Sequence, residues 1–152
     1  MENTEYLKTV FMFRELSSMD LIKFNKVLRS TKVSKGDEII REGESGDQMY
    51  VVKRGAVDIY KGEGMSKTKI THLLPGAHFG EIALIDDNPR SATVVAMEDS
   101  ELLTINRPEF QQLLAENEAL ALKVYKAFTR ALCDRLRQAN ENLIVAHQIQ
   151  GS

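Results

Sequence analysis

The sequence predicts an α+β fold that is mainly β: an antiparallel jelly-roll β-barrel with N-terminal helices and a long C-terminal helix. Three observations predict it. Between about residues 31 and 106, short runs of strand-forming residues are separated by glycine-rich polar turns. On either side, the apolar residues recur at helical spacing instead. The chain has 152 residues, a length that suits one domain with a real core. The expected boundaries are helices over about 4–30, barrel over about 31–106 and helices over about 107–148, all in a single domain over 1–152.

Residues 4–15 carry Tyr6, Leu7, Val10, Phe11 and Phe13 among charged partners, which predicts a short helix. Ser17 or Ser18 can cap the next helix, with Asp20 in its first turn where the helix dipole favours an anion. Leu21, Phe24, Val27 and Leu28 supply its apolar face. From Thr31 onward the pattern predicts strands at Glu38–Arg41, Gln48–Lys53, Ala56–Lys61 and Thr68–Leu74. Lys35-Gly36-Asp37, the 42–47 segment, Arg54-Gly55 and the 62–67 segment are the turns between them. No glycine run matches the phosphate loop of nucleotide triphosphatases, so turn chemistry accounts for these glycines. Two further strands follow at Ala92–Met97 and Glu101–Ile105.

Asn106 or Arg107, before Pro108, opens a helix with Phe110, Leu113 and Leu114 on its apolar face. Asn117 can cap the last helix, which runs from about Glu118 to about His147. Its stripe is Leu120, Val124, Phe128, Leu132, Leu136 and Leu143, with Ala121, Ala131 and Ala139 between. A barrel cannot cover that length, so part of the stripe needs another partner. A second copy of the helix is the simplest one, and a homodimer is expected; a helix folded back on its own barrel is the alternative.

Composition narrows the function. Hydrophobic residues make up 43% and charged residues 28%, and the net charge of −2 offers no general attraction to nucleic acid or anionic membrane. With one cysteine, Cys133, no internal disulfide can form, which suits a reducing cytoplasm. The N-terminus lacks a signal-peptide pattern, and no apolar stretch is long enough to span a bilayer. His72, His78 and His147 are scattered and Cys133 has no histidine nearby in sequence, so neither a metal centre nor an enzyme is expected.

The chemistry concentrates in residues 79–94, which read FGEIALIDDNPRSATV. Gly80 has no Cβ and lets the backbone approach a ligand closely. If a helical turn begins there, the N–H groups of Glu81, Ile82 and Ala83 point outward as an anion site. Pro89 ends the turn region. Arg90 can grip a phosphate through paired charge-assisted bonds, and the Ser91 hydroxyl can add one more. Glu81 would repel a phosphate, so it makes sense as an acceptor for a sugar hydroxyl. The stretch reads as a cradle for a small sugar phosphate.

This stretch resembles the phosphate-binding cassette of the cyclic nucleotide-binding domain family, which pairs Phe-Gly-Glu-aliphatic-Ala-Leu with Pro-Arg-small-Ala-Thr-Val across a short loop. Gly43, Gly46 and Gly55 also sit where that family places turn glycines. The resemblance implies a sensor whose ligand is a cyclic nucleotide. Gly80, Arg90, Ser91 and the amides of Ile82 and Ala83 would hold the phosphate, and Glu81 the ribose 2′-hydroxyl. It also implies that Ile59, Ile70 and Ile82 wall the pocket, with Thr71 beside the base. Arg135 and Asn140 are both candidate base contacts on a long helix that acts as a lid.

Ser91 occupies a position where cGMP-preferring relatives hold guanine through a hydroxyl, and many cAMP-binding relatives carry serine there too; cAMP is the expected ligand over cGMP. The N-terminal helices resemble the family's movable helical motif, although core packing is the plainer role of each residue. The chain ends at Ser152 without room for the DNA-binding helix-turn-helix of the catabolite-activator relatives, so no direct DNA contact is expected. A free-standing sensor and a segment of a larger protein both stay open, as does the effector protein. The alternative function is a ligand-free dimerisation or protein-interaction module of the same fold. A small cupin-like metalloenzyme would need a histidine-rich strand pair that this sequence lacks.

Overall fold

The computed structural model describes residues 6–8, 10 and 13–151, with side chains as far as residue 145. The expected helix over 4–15 falls partly on residues 4, 5, 9, 11 and 12, which lie outside the described residues. The described order begins with α1 (Ser18–Asn25), β1 (Arg29–Val33), β2 (Glu38–Ile40), β3 (Gln48–Arg54) and β4 (Val57–Lys61). After a 3₁₀ turn at Gly64–Ser66 come β5 (Thr68–Leu73) and β6 (His78–Phe79), then a second 3₁₀ turn at Glu81–Leu84. The chain continues with β7 (Thr93–Ala96), β8 (Ser100–Asn106), α2 (Arg107–Glu116) and α3 (Glu118–Gly151).

The strands form two antiparallel four-stranded sheets, in the orders β1-β8-β3-β6 and β2-β7-β4-β5. This topology places the site. Strand β6 ends in one sheet and β7 begins in the other, so residues 80–92 are the crossover between sheets.

The first sheet is covered on both faces, which explains the near-continuous apolar runs in β3 and β8. Val52 and Leu102 face the barrel interior with Ile40, Val57, Phe79 and Val94. Their neighbours Val51 and Leu103 face outward, with Met49 and Ile105, into a second cluster built by the helices. Phe24 of α1, Phe110 of α2 and Phe128 of α3 meet there, with ring centroids 6.4 and 5.9 Å apart along that chain. The helices therefore share one core with the outer face of the sheet.

Local capping follows the sequence closely. Ser17 caps α1 in a reciprocal capping box with Asp20: each side chain accepts from the other residue's backbone N–H. Asp20 also binds Lys123 of α3 at 3.0 Å, fastening the first helix to the last. Asn106 caps α2 by accepting from the Glu109 amide at 2.9 Å.

Several expectations change. Strand β1 starts at Arg29, ahead of Thr31, and the two-residue strand β6 was not anticipated. Asn117 serves mainly the helix before it: its side-chain amide donates to the Leu113 carbonyl at 2.9 Å, while its own carbonyl accepts the Ala121 N–H. The stripe on α3 divides into two faces. Leu120, Val124 and Phe128 are buried against the helical cluster, whereas Leu132, Leu136 and Leu143 are exposed.

No helix among the described residues is long and apolar enough to cross a membrane. The described residues hold no cluster of three or more His, Cys, Asp or Glu suited to a metal ion.

Candidate functional site

The crossover starts with a backbone requirement. Gly80 has φ +75°, in the left-handed region that side chains disfavour. A Cβ at Gly80 would also lie 2.8 Å from Nη1 of Arg90 and 3.1 Å from the Gln48 carbonyl. Beyond it the chain tightens into the 3₁₀ turn, which buries Glu81, Ala83 and Leu84 and leaves Ile82 exposed. Leu84 anchors the turn in the helical cluster. This geometry engages two of the three amides expected to be free. Ala83 donates to the Gly80 carbonyl at 3.1 Å, and the Glu81 amide lies against its own carboxylate.

Arg90 returns across the turn. Its guanidinium donates to the carbonyls of Gly80 at 3.2 Å and Gln48 at 2.8 Å. Its backbone N–H donates to Glu44 and its carbonyl accepts from Gly43, each at 2.8 Å, so the β2–β3 loop holds it from behind. Burial pulls the Arg90 pKa below its ordinary value, against the opposing influence of Tyr50, Asp47 and Glu81. An arginine remains cationic at that cost, and a partly dehydrated guanidinium attracts an anion more strongly than a solvated one.

Glu81 is only 3% exposed, an unusual place for a carboxylate. Oε1 forms an ion pair with Arg135 of α3, and Oε2 lies 3.5 Å from Nδ1 of His78. Burial alone would raise its pKa. The neighbouring His78 and then the Arg135 charge outweigh burial and hold the carboxyl below its usual range. Glu81 is therefore an anion in this state.

These groups surround a cavity of about 310 Å³ walled by residues 80–83 and 88–91 together with Arg135. The volume is at the low end of the roughly 300–1,000 Å³ typical of small-molecule sites. Gly80, Glu81, Ile82, Ala83, Arg90, Ser91 and Arg135 come together in it. Ile59, Ile70, Thr71 and Asn140 do not line it. Ile59 sits opposite Thr71 in β5 and Val94 in β7, while Ile70 and Thr71 are exposed. Asn140 is exposed, about 7.5 Å further along the helix axis than Arg135 and on a different face. Helical phase therefore brings Arg135, and not Asn140, beside Glu81. A neighbouring cavity of about 260 Å³, between the β2–β3 loop and Tyr50, shares Arg90 as a wall.

Sequence reading missed His78 and Arg107. The His78-x-x-Glu81 spacing was a usable signal for the first. Arg107 was seen only as a helix start, yet it contacts the cassette directly: Nε donates to the Ala83 carbonyl at 2.7 Å, and Nη1 pairs with Asp87.

Comparison with known proteins identifies the family. The model of the cyclic nucleotide-binding domain matches residues 30–117. A cAMP-dependent protein kinase regulatory subunit from Blastocladiella emersonii is 35% identical over 119 residues, covering 78% of this chain and 30% of that protein. The chain thus spans under a third of that relative's length. The Thermus thermophilus catabolite activator protein superposes with TM-score 0.79 at 28% identity, covering 88% of this chain and 62% of the other. The regulatory domain of Toxoplasma gondii PKA, in co-crystal with cAMP, gives TM-score 0.68 at 29% identity, covering 83% and 48%.

Proposed function

The chain belongs to the cyclic nucleotide-binding domain family, as a regulatory domain that is itself non-catalytic, and from that premise we propose that it senses cAMP in preference to cGMP. One observation carries the reading: Arg90 and Glu81 face a single cavity, and a side chain of the long helix α3 occupies Glu81. Arg90 supplies a cation for the cyclic phosphate, supplemented by the Ser91 hydroxyl and the Ile82 amide. Ala83's amide can join only if it leaves the Gly80 carbonyl. Glu81 accepts from the ribose 2′-hydroxyl. The cAMP in the Toxoplasma co-crystal supports the choice of base.

The Glu81–Arg135 pair supplies the switch. A ribose hydroxyl and the Arg135 guanidinium compete for one carboxylate. Ligand entry therefore releases Arg135 towards the base and frees α3 to take a second position, in which Ile59, Ile70, Thr71 or Asn140 can approach the nucleotide. The energy available is the difference in affinity between the two positions.

This assignment of Glu81 predicts a specific pattern. The unmodified protein binds cAMP about tenfold or more tightly than 2′-deoxy-cAMP, because one hydrogen bond to a charged group is worth about 1.5–3 kcal/mol. Glu81→Gln loses most of that preference. An undiminished preference in Glu81→Gln would remove Glu81 from the ribose.

The exposed face of α3 supports a homodimer. Leu122, Tyr125, Thr129, Leu132, Leu136, Ala139 and Leu143 alternate at spacings of three and four, the heptad pattern of a coiled-coil seam. The large members are exposed, including Leu122 at 71% and Leu136 at 64%. A second α3 is their simplest cover. Sedimentation equilibrium should show a dimer that Leu136→Glu converts to a folded monomer; a monomeric unmodified protein would exclude the seam as a stable interface. A reducing compartment such as the cytoplasm is the reading supported by the one free thiol, Cys133.

A further inference from the structure

Arg107 is in an unfavourable place for a cation. It is the first residue of α2, where the helix dipole disfavours positive charge. Its side chain turns towards the crossover instead. Nε donates to the Ala83 carbonyl at 2.7 Å, Nη2 to the Gly46 carbonyl at 3.2 Å, and Nη1 pairs with Asp87. Its backbone N–H donates to the Asp47 carbonyl at 2.7 Å. One planar guanidinium thus ties together the 3₁₀ turn, the loop after it and the β2–β3 loop.

Those segments bear on Arg90. A Cβ at Gly46 would lie 2.6 Å from both Nε and Nη2 of Arg90, so the Gly46 backbone is packed directly against the guanidinium. Gly46 has no left-handed φ, so close approach to Arg90 is what demands glycine there. Ala83, held by its carbonyl, directly follows Ile82, whose amide is the cradle donor that the turn itself does not engage. Arg107 therefore contacts both sides of the cassette without lining the cavity itself.

We propose that Arg107 is a positioning residue for the nucleotide cradle. It fixes the Gly46 backbone behind Arg90 and the 3₁₀ turn in front of it, so that the phosphate donors are arranged before ligand arrives. This rests on the cyclic-nucleotide reading for its benefit to affinity, but the ordering of the cassette does not depend on any ligand. The fork matters here, because Nε, Nη2 and Nη1 each reach a different segment, whereas the three donors of an ammonium radiate from a single nitrogen.

The test uses Arg107→Lys, which keeps the charge, and Asp87→Asn, which removes one partner at an exposed position. Hydrogen exchange on the ligand-free chain should speed up by roughly tenfold or more across residues 80–91 in Arg107→Lys, and less in Asp87→Asn. Exchange in β4 and β5 should stay at the unmodified rate, a contrast that general destabilisation would not produce. In calorimetry, Arg107→Lys should weaken cAMP binding by about tenfold, the effect of losing roughly one charge-assisted bond. Unchanged exchange across 80–91 in folded Arg107→Lys overturns the proposal. So does acceleration spread evenly over the barrel. If the unmodified chain binds no cyclic nucleotide, the exchange contrast still decides the role of Arg107, and only the ligand reading fails.

Discussion

Arg90→Ala lowers affinity for the cyclic nucleotide by at least about tenfold, and by roughly a hundredfold or more if both of its terminal nitrogens meet the phosphate. Each hydrogen bond to a charged group contributes about 1.5–3 kcal/mol, and about 1.4 kcal/mol is a factor of ten. The site amplifies the loss, because the guanidinium is already partly dehydrated and little reorganisation is left for binding. The same nitrogens serve the Gly80 and Gln48 carbonyls, so the variant also loses some stability. Arg90→Lys is the informative companion: it restores the charge but not the fork, and should recover only part of the affinity. Isothermal titration on each variant, after a thermal melt has shown it folded, separates affinity from stability. Wild-type affinity in folded Arg90→Ala would remove the phosphate from this cavity.

Phe110→Ala should give the largest stability loss, about 3–5 kcal/mol by the usual cost of truncating a buried phenylalanine. Phe110 is 1% exposed and lies between Phe24 and Phe128, so its ring joins α1, α2 and α3 in one cluster. Removing it leaves a cavity that the surrounding strands and helices cannot readily fill. The consequence reaches the site. Phe128 docks the same helix that carries Arg135, so a loosened cluster also weakens the register of Arg135 over Glu81. Denaturant unfolding should show a lower midpoint with little change in slope. A loss below about 1 kcal/mol would mean that the helical cluster is not the common core described.

The parts legible in the sequence are those whose information is local. The cassette is one contiguous run, and its glycine, acid and arginine each carry a separate physical requirement. Ser17 and Asn106 were each one of two candidates at a helix start, and the three-residue spacing to Asp20 and to Glu109 is what makes them the caps. Strand β6 was invisible because two residues have no period. Asn117 was ambiguous because an amide both donates and accepts, and either neighbouring helix can use it. The α3 stripe read as one face because Leu132 follows Phe128 at helical spacing; only packing shows that the barrel side continues through Ala131 and Arg135 instead. Arg107 could not be assigned from sequence, since Gly46, Ala83 and Asp87 come near it only through the crossover between sheets. Which of Arg135 and Asn140 lies beside Glu81 depends on the phase of α3 against the barrel.

The central claim is that this cavity takes a cyclic nucleotide, and calorimetric titration of the chain with cAMP and cGMP tests it most directly. The protein must first be checked for nucleotide carried through purification. The expected result is saturable binding of cAMP, with cGMP weaker. No binding of either nucleotide by the folded, nucleotide-free protein would contradict the claim and favour a ligand-free interaction module in which Arg135 keeps Glu81 permanently.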